Sequence, residues 1–133
     1  MAYVNASINN ASTIVEQVAS TVTEAVDMRG KAVKYDENGG ILLADAAGET
    51  VMGIALITND EAVKAGVDVD IQIRDNGMAI VGGAVAKGDP LAVDANGKLV
   101  KAASGQFVIA TALEAAQAAD IIIRIAITKY TAA

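Results

Sequence analysis

The sequence contains no cysteine and no histidine. Without cysteine there is no disulfide framework, no thiol nucleophile and no thiolate metal site. Without histidine the chain lacks the commonest general base, the commonest metal ligand and the usual partner of a catalytic serine. These absences exclude several large enzyme classes. We therefore predict a protein that is not an enzyme and that needs no metal or other cofactor.

Aromatic residues and cations are also scarce. Only 3% of the 133 residues are aromatic, so the core must be built from Val, Ile, Leu and Ala, which suit thin β-sheets. The net charge of −6 argues against binding to nucleic-acid phosphates. No apolar run reaches the ~20 residues of a membrane helix, and the start MAYVNASINN lacks the features of a signal peptide. We expect a soluble chain with no nucleic-acid or membrane partner.

Two segments of the chain resemble each other. KYDENGGILLA at 34–44 and AVDANGKLVKA at 92–102 each place an Asn-Gly pair between apolar residues. Asn-Gly is typical of a tight hairpin turn because both residues tolerate a positive φ. We therefore predict two equivalent β-hairpins. The residues predicted to shape the turns are Asn38, Gly39, Asp89, Asn96 and Gly97.

The resemblance extends beyond the hairpins and suggests a tandem pair of β units, at about 30–74 and 88–127. At the far ends, DIQIR at 70–74 matches DIIIR at 120–124. Two copies are too few for a solenoid, so the units are expected to pack together in one β domain over 26–133. Turn chemistry alone could also make two hairpins look alike, and that alternative stays open.

Two strands carry the clearest periodicity. VDVDIQIR at 67–74 alternates apolar and polar residues, which predicts a strand with one solvated face. IIIRIAI at 121–127 is more apolar and leaves three residues on the side opposite the core. Apolar residues on such an outer face favour contact with another protomer. The predicted interface residues are Ile122, Arg124 and Ala126.

The remaining segments are less regular. Residues 59–66 and 113–120 have helix-forming composition but little length, so one or two short helical turns are predicted. Residues 1–29 show no match to the repeat, and we interpret 1–25 as an N-terminal arm. Thr13 and Glu16 have the spacing of a helix cap, yet the local composition also suits a strand, and ordering on a partner is a third possibility.

Carboxylates and lysines offer little sign of a chemical site. Asp89 and Asp94 could supply oxygens to a cation, but their spacing matches no EF-hand loop and turns account for them more simply. Lys87 and Lys98 flank the second hairpin, as a lysine that holds a swinging cofactor would. The context Ala-Lys-Gly lacks the usual flanking residues. A β-rich carrier or assembly module of a bacterial enzyme system remains the alternative, and a carboxylate-dependent hydrolase is a third hypothesis.

Several segments together resemble a known protein family. They are GKAVKYD, GIAL at 53–56, the alternating strand at 67–74, AKGDPLAVDANGKLVKA, and IATALEAAQAADIIIRIAI. In this order they are similar to the small capsid decoration proteins, or cement proteins, of tailed bacteriophages. The resemblance covers roughly residues 20–127, and the order of the segments carries it.

The resemblance implies both a fold and a role. It implies an all-β fold, a compact β-clip or β-tulip barrel or sandwich built from two related hairpin units. It also implies a structural virion protein, made in the host cytoplasm and often homotrimeric, on the outer surface of the phage head. Such a protein binds the major capsid protein and stabilises contacts between its subunits.

The N-terminal segment is the predicted attachment site. Residues 1–20 carry a single charge, Glu16, and several apolar residues without a place in the predicted β core. Such residues are useful if a partner covers them, for instance by pairing with an exposed strand. Packing on the protein's own body or on a sister protomer is the alternative. The predicted partner-binding residues are Tyr3, Val4, Ile8, Ile14, Val15 and Val18.

Overall fold

The fold consists of β-strands. A computed structural model describes residues 11–133, and this part of the chain contains ten strands and no helix, hence no helix that could span a membrane. The prediction of an all-β protein is confirmed. The strands are β1 (Thr13–Gln17), β2 (Ala32–Tyr35), β3 (Ile41–Leu43), β4 (Gly53–Ala55), β5 (Asp68–Gln72), β6 (Asn76–Ile80), β7 (Pro90–Val93), β8 (Leu99–Lys101), β9 (Phe107–Ala112) and β10 (Ile122–Thr131).

The strands form two five-stranded antiparallel sheets with the same topology. The order in the first sheet is β1-β5-β4-β2-β3, and the order in the second is β6-β10-β9-β7-β8. Each strand of the second sheet therefore corresponds to the strand five places earlier in the chain. We call residues 11–74 the first half and residues 75–133 the second half. The relation inferred from two hairpins thus extends to the pairing of all ten strands.

The N-terminal strand belongs to this repeat, contrary to the sequence prediction. β1 holds the edge position that β6 holds in the second sheet. Just after β1, Val18 forms a parallel bridge with Ile41, and just after β6, Val81 forms the same bridge with Leu99. The predicted arm is therefore part of the β body from residue 13 onward. Its sequence, TIVEQ, shares no residue pattern with NGMAI of β6, which hid the correspondence.

The predicted alignment of the last strands is also wrong. β4 pairs with β5 so that Ala55 faces Ile71, and β9 pairs with β10 so that Ala112 faces Ile125. The counterpart of Ile71 is therefore Ile125, four residues beyond the position that the DIQIR and DIIIR match implied. A shift of four residues along a strand is even, so every side chain stays on the same face of the sheet. The alternation of apolar and polar residues therefore could not reveal the error.

The two predicted helical segments are irregular turns. Val63, within 59–66, pairs with Val26 in an isolated antiparallel bridge, and Ala116, within 113–120, pairs with Val85. In each case the two backbone groups exchange hydrogen bonds of 2.9 to 3.0 Å. The predicted helical turns are not confirmed. A short segment gains little from helix formation, whereas these bridges satisfy the backbone directly.

Each sheet curls around its own apolar core without becoming a closed barrel. The bridge after β1 joins the two edges of the first sheet at one point, and the bridge after β6 does the same in the second sheet. The first core contains Val18, Met28, Val33, Ile41, Ala55, Val63, Val69 and Ile71. The second core is built mainly from the second half but also includes Ala32, Ala44, Val51 and Ile54 of the first half.

The contact between the halves, which we call the internal interface, is apolar and hydrogen bonded. The N–H of Ala32 donates to the carbonyl of Gly97 at 2.7 Å, and the N–H of Ile80 donates to the carbonyl of Gly30 at 2.8 Å. Ile54 reaches across from the first half and is 1% exposed. Shared apolar burial and backbone bonding therefore hold the two halves together.

Candidate interaction surfaces

The carboxylates that might have formed a chemical site stabilise turns instead. Within residues 11–133 no cluster of acidic side chains is placed to hold a metal ion. Asp89 accepts the N–H of Ala86 through Oδ2 at 2.9 Å. Asp94 accepts the N–H groups of Asn96 and Lys98 through Oδ1 at 2.8 and 3.0 Å. The features left to consider are surfaces.

The two predicted hairpin turns have the expected backbone but different surroundings. Gly39 has a φ of 101° and Gly97 a φ of 77°, the left-handed region that favours glycine. Asn38 and Gly39 are exposed, whereas Gly97 is buried and its carbonyl accepts the N–H of Ala32 at 2.7 Å. The second hairpin therefore forms part of the internal interface, which the sequence did not indicate.

The structure divides the predicted attachment residues into different environments. Tyr3, Val4 and Ile8 lie outside the described residues. Val18 is 3% exposed, so the expectation that it lacks a place in the core is wrong. Its burial follows from the bridge to the β3 strand, which draws it into the first core.

The other two attachment residues lie on β1. Ile14 packs against the first core, whereas Val15 points outward and is 57% exposed. β1 is an edge strand, and within residues 11–133 no strand pairs with its outer side. The outer side of β1 is therefore the candidate for adding a strand from a partner.

A second surface surrounds Tyr35 at the end of β2. Tyr35 is 56% exposed, and the carboxylate of Glu16 accepts its hydroxyl hydrogen and raises the pKa of the phenol. A cleft of about 500 Å³ runs from Tyr35 past Met52 to Phe107 and Lys129. Burial in this cleft lowers the pKa of the Lys129 amine. The surface combines an aromatic ring with an apolar wall.

The predicted protomer interface on β10 is only partly apolar. Ile122 is 45% exposed and pairs across the strands with Ile80. Arg124 points outward with its guanidinium 3.9 Å from the Glu114 carboxylate. Ala126 is partly buried and pairs with Thr111 of β9. The outer face of β10 is therefore apolar at Ile122 and charged at Arg124, and it carries only a small side chain at Ala126.

Ile122 also lines a groove along the internal interface. The groove has a volume of about 310 Å³, and its walls are Asp27, Arg29, Ile57, Ile80 and Ile122. Arg29 bonds the two carboxylate oxygens of Asp27 through Nε and a terminal nitrogen, at 2.9 and 2.8 Å. This bidentate contact lowers the pKa of Asp27 and raises that of Arg29. An ion pair thus borders three isoleucine side chains.

A charged network surrounds the amine of Lys34 on β2. The amine of Lys34 lies 2.6 Å from Asp45 and 2.9 Å from Glu49, which together raise the pKa of the amine. Glu49 also accepts the N–H groups of Asp45 and Ala46 through its other oxygen, both at 2.8 Å. These bonds order the turn between β3 and β4, so we regard the network as structural.

Comparisons with known proteins support the fold. No family model matches the sequence, and no curated protein matches it. Among solved structures, the chain is similar to "The crystal structure of head fiber gp8.5 N base in bacteriophage phi29", with a TM-score of 0.65 and 18% sequence identity. The match covers 91% of this chain and 98% of that chain. The two proteins therefore share a fold across nearly their whole described length.

Proposed function

We propose that this chain is a structural protein of a bacteriophage virion. In this proposal it binds the outer surface of the head and stabilises contacts between subunits of the major capsid protein. The observation that carries the proposal is the fold shared with the phi29 head fiber base, with a TM-score of 0.65 over 91% of this chain. The decoration-protein resemblance of the sequence supports the same role independently.

The chemistry of the chain fits a role in binding. The carboxylates around the second hairpin are engaged by backbone N–H groups, which leaves them to order turns. The sequence lacks the histidine and cysteine on which many catalytic sites depend. We accordingly propose a non-enzymatic protein that acts through its surfaces and, in line with the family resemblance, associates as a homotrimer.

The outer side of β1 is the proposed attachment surface. It combines the exposed side chain of Val15 with the edge of β1 before Gln17, which no strand of residues 11–133 pairs, and residues 1–10 precede it directly in the chain. A capsid segment that paired with this edge would gain backbone hydrogen bonds and cover Val15. Val18 supports this surface from inside and is not itself a contact residue.

The experiment is a binding assay with purified heads. A Val15→Arg variant should bind heads more weakly, because a charge would be buried where an apolar contact is proposed. Val15 is exposed in the free protein, so the variant should fold normally. Thr23→Arg, at another exposed position outside the sheets, is the matched control. Equal head binding by wild type and both variants would move the attachment surface away from β1.

A further inference from the structure

The internal interface joins two different surfaces of the repeated unit. On the first half it uses Gly30, Ala32, Ala44 and Ile54, and on the second half it uses Ile80, Val93, Gly97 and Phe107. The strands of the two sheets correspond one to one, so each of these residues has a counterpart in the other half. In the same order, the counterparts of the first set are Gly88, Pro90, Ala102 and Thr111. The counterparts of the second set are Gln17, Tyr35, Gly39 and Thr50. The contact is therefore head-to-tail, and each half has one surface that no other part of residues 11–133 uses in this way.

The two unused surfaces are called the leading face and the trailing face. The leading face lies on the second half and comprises Lys87, Gly88, Pro90, Ala102 and Thr111. The trailing face lies on the first half and comprises Gln17, Tyr35, Gly39, Thr50 and Asp68. Each residue holds the position of one that contacts or borders the internal interface.

The exposure of equivalent residues shows what the internal contact covers. Val93 is fully buried, whereas its counterpart Tyr35 is 56% exposed. Gly97 is buried against the first half, whereas Gly39 is exposed. Likewise Gly30 is buried and its counterpart on the leading face is exposed. Within residues 11–133, therefore, no second unit covers the two unused surfaces.

We propose that a second copy of this chain covers them. The leading face of one copy docks on the trailing face of the next and reproduces the geometry of the internal interface. A head-to-tail contact of this kind either closes into a ring or continues as a filament. A ring is what the homotrimer proposed above requires, so this inference rests on that self-association and assigns the surfaces that produce it.

The charges on the two faces are complementary. Arg29 of the first half and Ile122 of the second half both line the internal groove. The counterpart of Arg29 is Lys87 on the leading face, and the counterpart of Ile122 is Asp68 on the trailing face. Docking in the same geometry brings this lysine of one copy near the aspartate of the next. In the contact between chains, an aspartate takes the place of Ile122 and a lysine takes the place of Arg29, which makes an opposite-charge pair. Polar residues at these positions suit a contact whose faces are exposed to water before assembly.

One internal hydrogen bond cannot be repeated between copies. The N–H of Ala32 donates to the carbonyl of Gly97, but the equivalent residue on the leading face is Pro90, which has no N–H. The contact between copies should therefore be weaker than the internal one and reversible on dilution. Salt should weaken it further because an exposed ion pair is screened.

The first test uses one arginine on each face. Thr111→Arg and Tyr35→Arg each block one face and leave the other intact, so each variant alone should sediment as a monomer. An equimolar mixture should form a one-to-one dimer and nothing larger, because only one productive contact exists in the mixture. Ala118→Arg, exposed and outside both faces, should associate like wild type. Unchanged melting curves establish that the variants are folded.

The second test exchanges the charges. Lys87→Glu and Asp68→Lys should each raise the dissociation constant of self-association roughly tenfold, and the double variant should restore association. All measurements are made by sedimentation without heads, so they are separate from the test of head binding. The proposal would be overturned if the wild-type protein were a monomer, or if both arginine variants associated as strongly as the wild type. It would also be overturned if Ile122→Asp were the only substitution that caused dissociation, because the contact would then lie on the outer face of β10.

Discussion

Val18 and Val81 hold equivalent positions in the two halves and make equivalent contacts. Each lies just after an edge strand, forms a parallel bridge to the hairpin strand at the other edge of its sheet, and is at most 3% exposed. Each valine therefore stops its sheet from opening. For the first half this makes β1 a structural strand, so only its outer side is free to bind a partner.

This relationship leads to a prediction about N-terminal truncation. Deletion of residues 2–10 should leave the melting temperature nearly unchanged, because strand β1 and Val18 remain. Deletion of residues 2–20 should lower the stability strongly, because it removes one of five strands and opens the first core. Far-UV circular dichroism and thermal melting of both proteins provide the measurement.

The same pair of truncations tests the attachment surface. If β1 supplies the edge that the capsid binds, the protein without residues 2–10 keeps at least part of its affinity for heads. A cooperative, fully stable protein lacking residues 2–20 would show that β1 is an accessory to the fold, contrary to the structure described above.

The second prediction compares two neighbouring glycines. Gly39 and Gly40 both have a positive φ, but an added Cβ at Gly39 meets no atom within 4 Å, whereas at Gly40 it lies 2.8 Å from the Cα of Ala19 and the carbonyl oxygen of Gln17. Gly39→Ala should cost only backbone strain, about 1–2 kcal/mol. Gly40→Ala should cost clearly more, because two backbone atoms must also move. Urea unfolding measures both, and equal losses would contradict the described approach of the hairpin to β1.

Local features were predictable from the sequence. The Asn-Gly pairs specified both hairpins because the required φ depends on two adjacent residues, as Gly39 and Gly97 show. The alternation over 67–74 likewise identified β5 because one face of the sheet covers a core. An all-β fold followed from such segments.

Non-local features were not predictable. β1 pairs with β5 more than fifty residues later, and nothing in TIVEQ specifies that partner. The register of β10 could shift by four residues without changing its pattern. Gly97 is buried by the other half of the chain. The sequence of its own turn therefore looks like that of the exposed turn at Gly39. Candidate surface residues could therefore be named from the sequence, but their burial and their neighbours in the fold could not be predicted.

The third prediction concerns pH. The Arg29 guanidinium holds the pKa of Asp27 below its ordinary value in the folded state. The ion pair therefore contributes stability that is fully present above the unfolded-state pKa, about 3.9, and is lost as the pH falls through the lower folded-state pKa. Both side chains are more than a third exposed, so solvent screening keeps the contribution small.

The measurement is urea unfolding of Asp27→Asn and wild type over a range of acidic pH. The variant should be less stable at neutral pH, and the difference should vanish in strong acid. In an Arg29→Gln background the same substitution should have little effect at any pH. A difference that grows as the pH falls would contradict the assigned direction of the pKa shift.

The fourth prediction compares equivalent positions inside and outside the internal interface. Ile54 is 1% exposed and packs on the second half, whereas its counterpart Thr111 is partly exposed. Ile54→Thr should cost roughly 2–4 kcal/mol, because it leaves a cavity and buries a hydroxyl. Thr111→Ala should cost less than about 1 kcal/mol, as surface changes usually do. Similar losses at the two positions would argue against the described interface.

The central claim is that the chain binds phage heads. The most direct measurement is co-sedimentation of the purified protein with intact heads of the phage whose genome carries its gene, with heads of an unrelated phage as control. The account predicts saturable binding to the cognate heads and greater resistance of the decorated heads to heat. A protein that stays in the supernatant with cognate heads at every concentration, while remaining folded, would contradict the account.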